Sequence, residues 1–112
     1  MAKEIHHRKP VTLFGDHSLR NTLKLEHDVH MWWHQLVANL PAHEILREFN
    51  NYLNPVSFET YRPYQKNAWR QLFGGMSPHE IAHKVNELFL DPDYKMYFHR
   101  KKFILILKTE RR

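Results

Sequence analysis

The sequence predicts a mainly α fold: two tandem helical hairpins, an internal duplication with a 36-residue offset, and a small terminal β pairing. Three observations lead there. The stretch W-H-Q-L-V-A-N-L-P-A-H-E-I-L-R-E-F-N-N-Y-L that begins at Trp33 recurs without a gap as W-R-Q-L-F-G-G-M-S-P-H-E-I-A-H-K-V-N-E-L-F from Trp69. A fixed period with matched apolar positions marks a duplicated supersecondary unit. Within the second copy, Trp69, Leu72, Phe73 and Met76 fall at i, i+3, i+4 and i+7, which is one stripe of a helix. Gly74 and Gly75 then allow a turn. Ser77-Pro78 with Glu80 forms a capping box with proline at the first helical position.

Taken in order, residues 1–9 read as a polar, basic arm. Residues 11–14 are β-prone and end at Gly15-Asp16. A long helix is expected to begin near Asp16 or Ser18 and end near Leu40. Its apolar face collects Leu25, Val29, Trp32, Trp33, Leu36, Val37 and Leu40. With the following helix, bearing Ile45, Phe49, Tyr52 and Leu53, it makes the first hairpin, residues 16–54. The linker 56–63 carries Phe58 and Tyr61 and is expected to pack on the core. The second hairpin spans 64–90. Asp91-Pro92 then signals a short helix reaching Arg100. Residues 103–107 form an unbroken apolar run, expected as a strand buried on both faces and paired with 11–14 or with another molecule.

At 112 residues with 42% apolar content, the chain is long enough for one core and one domain. No apolar run approaches the roughly 18–20 residues that cross a bilayer, so no membrane partner and a cytoplasmic location are expected. Cysteine is absent, which removes disulfides and thiolate metal sites. The formal charge is +5, but it is unevenly placed. Residues 31–94 are net −2, whereas 95–112 carry seven basic groups and one acidic group. Any attraction for a polyanion therefore belongs to the basic C-terminal segment, 91–112.

Ten histidines invite a search for chemistry. His27, His30 and His34 lie together beside the apolar face of the first helix and read as its polar flank; no metal and no cofactor are expected. His43-Glu44 and His79-Glu80 are chain neighbours, which point about 100° apart on a helix and do not face each other. His79, Glu80 and His83 match a short H-E-x-x-H pattern, but the first copy has Arg47 where the second has His83. The chain is not expected to be an enzyme.

The pattern W-x2-L-x-G-G-M-S-P-x-E-I-A-x-x-V-N, from Trp69 to Asn86, resembles the first half of helix-turn-helix DNA-binding units. The resemblance implies a small, basic nucleic-acid-binding regulatory protein with a recognition helix around Lys95, His99 and Arg100 in the major groove. Lys101, Lys102, Lys108, Arg111 and Arg112 are then expected on phosphates, with Arg8 and Lys9 of the N-terminal arm. A second reading is a non-enzymatic protein-binding adaptor or inhibitor, of the small basic kind found among viral and mobile-element proteins, docking on a larger host assembly. In that reading the strand 103–107 adds to a partner's sheet.

Overall fold

The computed structural model describes residues 2–108. Two antiparallel strand pairs flank a helical centre. Strands β1 (Lys3–His7) and β2 (Thr22–Glu26) pair first. Helices α1 (His27–Val37), α2 (Ala42–Leu53), α3 (Pro55–Thr60), α4 (Pro63–Phe73) and α5 (Pro78–Leu88) follow. Strands β3 (Tyr94–His99) and β4 (Lys102–Leu107) form the second pair. Among the described residues the fold is thus mixed α/β, and the mainly α expectation is corrected.

The correction has identifiable causes. Leu25 and Val29 stand four residues apart, a spacing that suits one helix face. Yet T-L-K-L-E at Thr22–Glu26 also alternates with period two, and β1 supplies a partner for every residue of it, from Lys3↔Glu26 to His7↔Thr22. The helix begins only at His27. At the other end, Y-K-M-Y-F-H buries Met96, half-buries Phe98 and exposes Lys95, Tyr97 and His99, a strand's alternation. The helix expected from Pro92 to Arg100 is therefore β3. Residues 103–107 pair with β3, not with 11–14, which instead contain a short 3-10 turn at Val11–Leu13. The join between β3 and β4 is Arg100-Lys101, both at positive φ (49° and 72°), as a two-residue hairpin turn of the I′ kind requires. With no Asn or Gly present, that turn carries no ordinary sequence signal.

The helical spans repeat at the offset of the sequence. α1 and α4 are each 11 residues long, and α2 and α5 follow them. α1 packs on α4 at the centre. Trp33 is buried and stacks on Phe89 at the end of α5, with ring centroids 4.3 Å apart. Trp69 is partly buried and stacks on Tyr52 of α2 at 4.8 Å. Each indole therefore covers an aromatic ring from the other unit. Phe49, fully buried, touches Trp33, Trp69, Phe73 and Phe103 edge-on or tilted. The linker folds as α3, capped by the Asn54 side chain, and Tyr61 stacks on Tyr52 at 4.2 Å.

The repeat also holds the second strand pair. Asn50 of α2 and Asn86 of α5 occupy equivalent places in the two units. Asn86 accepts from the Met96 N–H and donates to its carbonyl, both at 2.8 Å. Asn50 does the same for Phe103, at 2.7 and 3.1 Å. One side-chain amide thus satisfies the edge of β3 and its counterpart satisfies the edge of β4. Unpaired strand edges are normally a liability; here each is taken, at one residue, by a duplicated asparagine. Among the described residues no helix is long and apolar enough to cross a membrane.

Candidate functional site

Two sites emerge, at opposite ends of the chain. The first is the outer face of the β3–β4 ribbon. The pairings Lys95↔Ile106, Tyr97↔Ile104 and His99↔Lys102 put these six side chains on one side. Met96 and Phe103 point the other way into the core. Lys95, Tyr97, His99, Lys102 and Ile106 are exposed, and the Lys95 ammonium sits 5.1 Å from the Tyr97 ring centre. Arg100 and Lys101 extend from the tip, both exposed, and Lys108 follows β4.

Of the residues expected to contact nucleic acid, Lys95, His99, Arg100, Lys101 and Lys102 come together on this ribbon and its turn. They stand on a strand and a turn rather than on a recognition helix. Arg8 stands elsewhere. Its guanidinium donates to the carbonyls of Leu90 (2.8 Å) and Asn86 (2.6 Å), tying the N-terminal segment to the end of α5. Lys9 is half-buried, and its backbone is clamped by the Asn21 side chain. Arg111 and Arg112 lie outside the described residues.

The second site was half visible in the sequence. His30 and His34, one turn apart on α1, meet His6 of β1. One nitrogen from each ring lies within 4.8 Å of one from each of the others. His27 is not part of the group: its Nδ1 lies 2.6 Å from Glu4 Oε2. That contact raises the His27 pKa and lowers that of Glu4. Glu4 uses its other oxygen on His30 Nδ1, at 2.8 Å. His6 Nε2 lies 3.1 Å from the Phe89 carbonyl, and His34 Nδ1 lies 3.2 Å from the Ala38 carbonyl. Since a carbonyl only accepts, both nitrogens carry the proton. His30 Nε2 and His34 Nε2 are 3.0 Å apart, and His6 Nδ1 is buried with no partner. Burial, chiefly, pushes the His6 pKa down to about 4 and lowers that of His34, so both rings are neutral near pH 7.

His6 and Glu4 escaped the sequence reading because the basic stretch 1–9 hid a strand. The available signal was K-E-I-H-H facing T-L-K-L-E, two short segments of matching length.

Two of the H-E-x-x-H residues, Glu80 and His79, are occupied otherwise. Glu80 accepts from the Ser77 N–H at 2.8 Å as half of a capping box, and the His79 ring packs edge-on against Phe98. Comparison with protein-family models, with curated proteins and with solved structures finds no match.

Proposed function

We propose that this chain binds nucleic acid through the outer face of the β3–β4 ribbon. The supporting observation is the turn. Two cationic, non-glycine residues, Arg100 and Lys101, both hold positive φ at the exposed tip. Such backbone is costly for residues with a Cβ, and Asn-Gly would fit it better. A local choice that disfavours stability marks a place where the side chains serve another end. Beside the tip, Lys95, Lys102 and His99 frame Tyr97 on a single exposed face.

The major groove of B-form DNA admits a two-stranded ribbon. In this reading Arg100 and Lys101 enter the groove or grip its rim, Lys95 and Lys102 neutralise phosphates, and Tyr97 offers a surface for a sugar or an unstacked base. The role is binding and regulation, without catalysis. Lys95→Gln together with Lys102→Gln tests it. Both side chains are exposed, so the fold is retained. Affinity for a labelled duplex is expected to fall, and the slope of log K against log salt to shrink by about two. An unchanged slope would refute the reading.

A second reading, docking on a larger protein, draws on a different surface. Phe14 and Leu19 are 94% and 95% exposed in the loop between β1 and β2. Addition of a partner strand to the ribbon is disfavoured at Met96 and Phe103, where Asn86 and Asn50 already occupy the edges. A pull-down that returns one stoichiometric protein after nuclease treatment, and loses it with Phe14→Ser and Leu19→Ser, would favour this alternative.

A further inference from the structure

Every ring of the histidine trio has one nitrogen held from outside by an oxygen. His6 Nε2 donates to the Phe89 carbonyl, and His34 Nδ1 to the Ala38 carbonyl. His30 Nδ1 is paired with the Glu4 carboxylate. This is the outer arrangement that orients metal-binding imidazoles: a carbonyl or carboxylate takes one N–H and leaves the other nitrogen's lone pair for the ion. By elimination, the inward nitrogens are His6 Nδ1, His30 Nε2 and His34 Nε2. The last two are 3.0 Å apart. That spacing lets a single ion take the lone pairs of both. The first is buried and partnerless, and a buried polar atom without a partner is costly. A cation at the centre would supply the partner that His6 Nδ1 lacks.

We propose that His6, His30 and His34 form a three-imidazole site for a divalent transition-metal ion. Bond lengths of about 2.0–2.1 Å in a tetrahedral zinc site place neighbouring ligand nitrogens roughly 3.3 Å apart. The trio, all within 4.8 Å, needs only small side-chain adjustments to reach that spacing. Three neutral nitrogens and no thiolate suit Zn²⁺, and also Ni²⁺, Cu²⁺ or Fe²⁺. His30 and His34 also line a cleft of about 230 Å³, with His7 and Thr12 on its walls. His6 is buried and does not line that cleft. The ion would also link β1 to α1, at a distance in sequence that no disulfide serves in this chain. Nothing in the site depends on the ribbon.

The test uses the untagged full chain, stripped by chelator and titrated with Co²⁺ and then Zn²⁺. One equivalent of Co²⁺ is expected to give the intense visible bands of a tetrahedral ion, and Zn²⁺ to abolish them. His30→Gln and His34→Gln, both at part-exposed positions, are each expected to weaken binding at least about tenfold. Melting curves taken without metal show that these variants fold. The pair His79→Gln and His83→Gln removes a one-turn histidine pair on a different helix and is expected to leave binding unchanged. Wild-type protein binding no tighter than the His30/His34 double variant would overturn the proposal, as would loss of binding on removing His79 and His83.

Discussion

In the first unit Trp33 is buried against Phe89, α1 is capped at its C-terminus by Ala38, and two histidines line the outside of the helix. In the second unit Trp69 is only partly buried against Tyr52, α4 is capped at its C-terminus by Gly74, and the places of His30 and His34 are taken by Lys66 and Arg70. Lys66 lies 3.8 Å from Glu59, and Arg70 covers the Phe58 ring of α3. Asn50 and Asn86, by contrast, do the same work in both. The frame of the duplicated unit is what it does inside: an indole against the other copy, an asparagine on a strand edge. Its outer face was free to diverge. In the first copy it meets the β1–β2 hairpin and gathers imidazoles. In the second it meets α3 and gathers cations that pack on aromatic and acidic groups.

Substitutions at equivalent positions break or sharpen that comparison. The largest effect is expected at the tryptophans. Trp33→Ala should cost about 4 kcal/mol, within the range for emptying a buried aromatic site. Trp69→Ala should cost clearly less, since its ring already meets water. Urea unfolding of the two variants checks this, and equal losses would mean that the burial difference has no energetic weight.

The asparagines come next and should behave alike. Asn50→Ala and Asn86→Ala each remove two hydrogen bonds from a strand edge, a loss of roughly 2 kcal/mol apiece. Equal shifts in the urea midpoint are expected. A large asymmetry would show that one strand edge is satisfied without its clamp.

The smallest effects are at the corners. Ala38 holds φ 50°, in the region that favours glycine, so Ala38→Gly should stabilise by up to about 1 kcal/mol. At the equivalent Gly74 an added Cβ would lie 2.5 Å from the Arg70 carbonyl oxygen, so Gly74→Ala should destabilise. Thermal melts of opposite sign are the expected result, and melts of the same sign would contradict the corner geometry.

The sequence made the repeated helices legible because apolar period, proline starts and the Ser77 cap all agree there. Residues 22–26 and 94–99 were not legible as strands. Leu25 with Val29 satisfies a helical spacing, and Asp91-Pro92 imitates a helix start, while the pairing that decides each case comes from a segment elsewhere in the chain. Asp91 in fact caps a turn: its carboxylate accepts from the Asp93 N–H at 2.9 Å. The ribbon residues Lys95, His99, Arg100, Lys101 and Lys102 could be picked out by charge, though not their shared face. Half of the histidine group was visible as an i, i+4 pair on a helix. The other part, His6 with Glu4, depends on the β1–β2 register, which no local signal carries.

The ribbon turn tests the functional account most directly, because stability and binding should move in opposite directions there. Arg100→Asn combined with Lys101→Gly installs the residues that the turn geometry prefers. The melting temperature should rise. Affinity for a labelled duplex, followed by anisotropy across a salt series, should fall, with the log–log slope smaller by about two. A variant that melts higher yet binds with the wild-type affinity and slope would contradict the account.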